Sequence, residues 1–262
     1  MKQKLTIYQV DAFTDKIFHG NPAAVCPLEK WLPDETMQNI ARENNLSETA
    51  FFVRKNNRFE IRWFTPAVEV DLCGHATLAT GHVLYEHLGY KEDVIFLSSR
   101  SGELRVARRD GRLVLDFPAG FYEAVPVPHI LKEATGINPV ECGKAMDFLM
   151  AVYDDEAVIR NMKPDFALLK QLPYHAVIVT AKGKEVDFVS RMFAPAIGID
   201  EDPVTGSAHS VLTPYWSHHL GKVHLKAKQI SARGGSLFCK MSGDRVEIGG
   251  DAVTYLMGEI WF

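Results

Sequence analysis

The 262-residue chain is 47% apolar and 24% charged, close to the globular average, which excludes disordered, collagenous and coiled-coil classes. Thirty-three acids against 29 bases leave a net charge of −4. That balance speaks against a nucleic-acid or anionic-membrane partner, because phosphate binding draws on a basic excess. No apolar run approaches the roughly 18 residues a membrane helix needs, and the length suits one large domain or two ordinary ones.

The N-terminus leads directly into an alternating pattern and lacks the apolar stretch of a signal peptide. Cys26, Cys73, Cys142 and Cys239 form no C-x-x-C pair, so a cytoplasmic protein with reduced thiols is expected. No P-loop, G-x-G-x-x-G or H-E-x-x-H pattern occurs, and nucleotide and zincin chemistry are unsupported.

Residues 4–13 alternate as a strand, and Gly20-Asn21-Pro22 reads as a turn. Pro33, followed by Asp34 and Glu35, opens a helix to about Asn44, with proline and acids suited to a helix start. Strands are expected at 48–54, 58–64 and 94–98. Two more, at 104–108 and 113–117, flank the hairpin signal Asp110-Gly111. Pro118, Pro126 and Pro128 interrupt the pattern, dividing the chain into halves 1–117 and 118–262, with the last strand near 255–262 able to pack with the first half. The second half continues with strands at 148–153, 176–181, 186–193, 226–232, 237–241, 245–248 and 253–262. With few helices between strands, the sheets should be mixed or antiparallel.

An internal duplication stands out. Arg62-Trp63-Phe64-Thr65-Pro66 resembles Arg191-Met192-Phe193-Ala194-Pro195. Each is followed by an acid (Asp71, Asp202) and a glycine-led helix, ending at His87-Leu88-Gly89 and His219-Leu220-Gly221. Residues 74–89 carry apolar residues on most sides, as a buried helix does. The expected fold is therefore α+β, two pseudo-symmetric halves, each a barrel-like mixed sheet wrapped around a central helix. A cleft between such halves is a favoured ligand site.

Asp71 and Asp202 read either as N-caps or as neighbours of helix starts whose amides, at Gly74, His75, Gly206 and Ser207, receive an anion or a developing enolate. Glu48 enters an apolar strand just after a helix. It is either an exposed strand-start residue or a general acid/base.

Six segments in order carry a family resemblance: Gly20–Val25, Asn45–Phe51, Asp71–Thr77, Asp116–Ala119, Glu201–His209 and Arg233–Gly235. Together they resemble the PhzF-like family, named for a phenazine-biosynthesis isomerase and similar in fold to diaminopimelate epimerase. The resemblance implies a homodimer without cofactor or metal, acting on a small carboxylate. It implies Glu48 as the proton shuttle, with His75, Asp202 and Ser207 as catalytic partners. Ser47, Cys73, Gly74 and Gly206 would lie against substrate. The related proline racemases use two cysteines at the two helix starts. Here Cys73 stands at the first and Thr205 at the second, a departure from the two-thiol pattern. The expected function is a proton-transfer isomerase or epimerase. A Cys73/Glu48 racemase and a binding protein without turnover are the alternatives.

Overall fold

The structure is a computed structural model and describes residues 3–262. Its elements begin with β1 (Lys4–Ala12), β2 (Asn21–Leu28), α1 (Asp34–Asn44), β3 (Glu48–Lys55), β4 (Arg58–Phe64) and β5 (Glu69–Val70). Then follow α2 (Gly74–His82), β6 (Val94–Ser99), β7 (Gly102–Arg109) and β8 (Arg112–Pro118). The series continues with β9 (Glu123–Ala124), α3 (His129–Thr135), β10 (Glu141–Ala145), β11 (Phe148–Val152), α4 (Glu156–Asn161) and α5 (Phe166–Leu169). Next come β12 (Ala176–Lys182), β13 (Phe188–Ala194), β14 (Ile199–Asp202) and α6 (Gly206–Leu220). It ends with β15 (His224–Gln229), β16 (Gly235–Ser242), β17 (Arg245–Gly250) and β18 (Ala252–Trp261). Two compact units result: residues up to Asp116 with Gly249–Phe262, and Phe117–Ile248. β18 lies antiparallel along all of β1, Lys4 opposite Trp261 and Ala12 opposite Ala252.

The duplication is visible in strand pairing. In the first unit β1 runs antiparallel to β2, β2 parallel to β3, β3 antiparallel to β4, β4 parallel to β6, and β6 antiparallel to β7. The second unit repeats that series with β10, β11, β12, β13, β15 and β16. Both sheets are mixed, as the scarcity of helices implies. Among the described residues the strands do not close into a hydrogen-bonded barrel, so the barrel-like wrapping is that of an open sheet.

Each unit sandwiches its sheet between helices. In the first, α2 packs against β1, β2, β3, β7 and β18, and Gly74–Gly81 are all buried. On the opposite face Met37, Ile40 and Ala41 of α1 pack with Ala24, Cys26, Phe51 and Phe64. A strand covered on both faces reads as a continuous apolar run rather than an alternation, which explains Ala50-Phe51-Phe52-Val53. In the second unit Leu131, Ile159 and Leu169 from α3, α4 and α5 cover Leu149, Ala151, Val177 and Val179. There α6 packs against β15 and β16.

The central helices share an interruption. The helix expected over 74–89 is α-helical only to His82. It continues as a π-helical turn over Val83–His87, where the Leu88 N–H bonds the Val83 carbonyl at 3.0 Å. In α6 the residue 132 positions after His82 is Pro214. Proline has no N–H for the ladder, and the Ser210 carbonyl accepts instead from the Gly120 N–H at 3.0 Å. Gly120 permits that approach, since a Cβ there would lie 2.8 Å from Val211 Cγ2.

A matched ion pair holds the segment before each central helix. Arg62 donates to both carboxylate oxygens of Glu69 at 2.7 Å, and Arg191 to both of Glu201 at 2.7 and 2.8 Å. All four side chains are less than a fifth exposed. Bidentate arginine–carboxylate pairs fix direction as well as distance, so each ties β4 or β13 to the short strand leading into its helix.

The turn expected at Gly20-Asn21-Pro22 is confined to Gly20, and Asn21 already opens β2 opposite Ala12. Gly20 has φ +65°, and a Cβ there would fall 2.2 Å from the Ala12 carbonyl oxygen. Left-handed backbone costs an L-residue about 1–2 kcal/mol, and overpacking a further 1–3 kcal/mol or so. Gly20→Ala is therefore expected to destabilise by about 2–5 kcal/mol in urea unfolding, and a loss below about 1 kcal/mol would show that the β1–β2 turn yields freely.

Candidate active site

Three segments of the first unit bring four polar side chains together. Parallel pairing sets Ala23 of β2 opposite Glu48, the first residue of β3, so the start of β2 lies at the same sheet end. The buried helix α2 begins there too, with Cys73 as its N-cap residue. His75 on its first turn stands at the centre. Its Nε2 lies 3.2 Å from Glu48 Oε2. Its Nδ1 lies 3.2 Å from Asn21 Nδ2 and 3.5 Å from Cys73 Sγ. Asn21, Cys73 and His75 are buried, while the Glu48 side chain keeps 12% of its surface exposed. Burial pushes the His75 pKa down to about 3, so the ring is neutral at pH 7. Ser47 is half-buried just before Glu48, and Gly74 is the buried first residue of α2.

Asp71 is not an N-cap. Its side chain is 74% exposed and 3.9 Å from Arg100, and the cap position belongs to Cys73, which makes no side-chain cap hydrogen bond. In the second unit the N-cap is likewise not the aspartate but Thr205. The Thr205 hydroxyl donates to the Asp202 carboxylate, and its N–H donates to Gln229 Oε1 at 2.8 Å. Gln229 Nε2 donates to the Asp202 carbonyl at 2.7 Å and to Thr205 Oγ1 at 3.2 Å. Gly206 is buried and Ser207 half-buried at the start of α6.

The ion pairs also align the two helix starts. Glu69 matches Glu201, so Val70 matches Asp202, Asp71 matches Pro203, Cys73 matches Thr205, and His75 matches Ser207. Asp71 and Asp202, paired by sequence inspection, are thus one position apart. Strand register gives the remaining counterpart. Phe51 faces Arg62, and Val179 faces Arg191, which sets Glu48 against Ala176. Among the described residues the carboxylate–imidazole–thiol cluster belongs to the first unit alone. Asn21 escaped sequence reasoning because it sits in a turn-like tripeptide, and only the parallel register carries it to His75.

Glu48, Cys73 and His75 each place a potential metal ligand within 4.8 Å of the others. The two approaches to His75, however, are made to different ring nitrogens, whose lone pairs diverge. One ion can use only one of them, so the arrangement is a chain of polar contacts through the ring rather than a closed coordination shell.

A family model described as phenazine biosynthesis-like protein matches residues 10–258. An uncharacterized isomerase of Pseudomonas aeruginosa is 53% identical over 257 residues, covering 98% of each chain. The crystal structure of a PhzF-family phenazine biosynthesis protein from Enterococcus faecalis superposes with a TM-score of 0.97 at 46% identity, covering 99% of this chain and 100% of that one. A hydroxyproline epimerase from Agrobacterium vitis shares the fold with a TM-score of 0.63 at 11% identity, covering 100% and 94% of the two chains.

Burial lowers two further histidines, His82 and His209, each to about 4. The unfolded chain protonates its histidines near 6.5, whereas the folded one resists until about pH 4 or 3. The unfolded state therefore binds more protons as pH falls below about 6.5, and stability drops with it. Ordinary carboxylates do not titrate above about pH 5, so urea midpoints at pH 7.5 and 5.0 isolate the histidines. A lower midpoint at pH 5.0 is expected, and an equal or higher one contradicts neutral buried rings.

Proposed function

Because this chain belongs to the phenazine biosynthesis-like protein family and to the isomerase class of its relatives, we propose that it moves a proton on a small carboxylate, an amino acid or cyclic relative, without a cofactor. The observation that carries this reading is Glu48, a partly exposed carboxylate at the start of a buried strand, 3.2 Å from a neutral buried imidazole. Helix amides attract anions. The substrate carboxylate is assigned to the start of α2, at Gly74 and His75, where Cys73 makes no side-chain cap hydrogen bond.

Glu48 then takes the proton from a carbon near that carboxylate. The C–H bond breaks, an O–H bond forms, and the electron pair spreads into the substrate. Return of the same proton to another carbon completes an isomerisation. One base on one face supports such a shift, whereas inversion at one carbon needs a second base on the opposite face. His75 Nε2 stands beside the Glu48 carboxylate, 3.2 Å away. Ser47 is proposed to lie against that substrate, and the roles that the resemblance gives Asp202, Ser207 and Gly206 are proposed for the start of α6.

The Cys73/Glu48 racemase is the second reading, favoured by the thiol 3.5 Å from the same ring. Buried free cysteines suit a reducing, cytoplasmic compartment, and no described helix is long and apolar enough to cross a membrane. A homodimer is also proposed, with support from exposed Tyr255, Leu256, Met257 and Trp261 on β18. Light scattering at micromolar concentration should then give twice the 29.4 kDa chain mass, and the monomer mass would refute it.

The decisive assay screens amino acids and cyclic carboxylates in heavy water. Deuterium at carbon separates an enzyme from a binder. With a substrate in hand, Glu48→Gln should lose about 10²–10⁴ in rate, the usual scale of a general acid/base, and Cys73→Ser far less. Equal losses would replace the one-carboxyl mechanism with the Cys–Glu racemase.

A further inference from the structure

His75 is surrounded on both ring nitrogens, and its neighbours are chemically unequal. On the Nε2 side stands a carboxylate, which when ionised only accepts hydrogen bonds. On the Nδ1 side stand the Asn21 amide nitrogen at 3.2 Å and the Cys73 sulfur at 3.5 Å. An amide NH₂ only donates, and a protonated thiol donates weakly. A neutral imidazole has one N–H and one lone pair, and the hydrogen bond at one nitrogen selects the proton's place on the other. The Asn21 amide decides between the two arrangements: the lone pair sits at Nδ1, facing that donor, and the proton sits at Nε2, on the Glu48 side of the ring, 3.2 Å from the carboxylate but out of line for a hydrogen bond. The opposite tautomer would set an N–H against an NH₂ group and a lone pair against a carboxylate.

We infer that Asn21 is a positioning residue: its side-chain N–H, donated to His75 Nδ1, fixes the ring as the Nε2–H tautomer, with the ring proton on the side where Glu48 stands. The importance of this for turnover rests on the proposed function, but the tautomer itself does not. Its chemical consequence is specific. A proton taken up by Glu48 cannot pass to His75, because Nε2 is already protonated and the Nδ1 lone pair is engaged by Asn21. The proton stays on the carboxyl, where it is available for return to substrate. The backbone secures the same end. Asn21 is fully buried, follows Gly20 in its left-handed turn, and lies on the strand parallel to the one Glu48 opens.

The test reads the ring directly and needs no substrate. Protein labelled with ¹⁵N-histidine is examined by two-bond proton–nitrogen correlation at pH 7, with the His75 signals assigned by their loss in His75→Gln. The parent should show a single Nε2–H tautomer. Asn21→Asp replaces the donor by an acceptor of the same shape, and Nδ1 should become protonated. Cys73→Ala removes the other neighbour and should leave the Nε2–H tautomer in place. A parent ring protonated at Nδ1 overturns the inference, as does an unchanged tautomer in folded Asn21→Asp. A switch in Cys73→Ala would hand the control to the thiol and overturn it equally. Should Asn21→Asp fail to fold, the parent and Cys73→Ala spectra decide. If the tautomer is as stated but no substrate exchanges deuterium, the proposed function fails and the positioning stands.

Discussion

The contact between Glu48 and His75 depends on a helix buried on every side. An isolated helix start presents its first-turn side chains to water, where an imidazole titrates near neutrality and a nearby carboxylate is screened. Here α2 is enclosed by β1, β2, β3, β7 and β18, and enclosure makes the ring neutral. The same enclosure brings the ends of two parallel strands to the helix start, one contributing Asn21 and the other Glu48. The Arg62–Glu69 pair serves this arrangement from a distance. It ties β4 to β5, the short strand that delivers the chain to Cys73.

Much of this architecture was legible beforehand because it follows from simple regularities. The alternation at 4–13, the helix after Pro33, the Asp110-Gly111 hairpin and the buried central helix all appear where residue pattern places them. The duplication was visible in the two arginine-led pentapeptides, and their physical content is a pair of matching ion pairs. What pattern did not show has identifiable reasons. β10 and the short helices α3, α4 and α5 carry too few residues to display a period. β2 was hidden because it contains Pro22 and Pro27, which ordinarily argue against a strand. The π-helical turn after His82 has no signature in composition.

The site was legible in part. Glu48, His75 and Cys73 were singled out by local motif, and the fold brings all three within reach of one another. Asp71 was misread because an acid three residues before a glycine-led helix has the spacing of a cap. Arg100 draws it outward instead. Asn21 required knowledge of which strands lie parallel, a long-range fact that no short window contains.

The two units are copies that agree in frame and differ in their titrating side chains. Both keep the strand order, the ion pair and the glycine-led helix. At the positions that bear protons they diverge: Glu48 against Ala176, His75 against Ser207, Cys73 against Thr205. Thr205 is also bound into place, its hydroxyl donating to Asp202 and accepting from Gln229. An alcohol is no base near neutral pH, alanine and serine at the other two positions add none, and the carboxyl of this unit, Asp202, is the group that accepts from Thr205. A symmetric pair of acid–base groups suits inversion at one carbon, because each face of a planar intermediate then meets its own proton donor. A cluster in which only one of the aligned positions carries a carboxyl suits a proton that leaves and returns on one face. The divergence of the duplicated halves at these three positions favours the proposed proton shift over the proposed Cys73/Glu48 racemase.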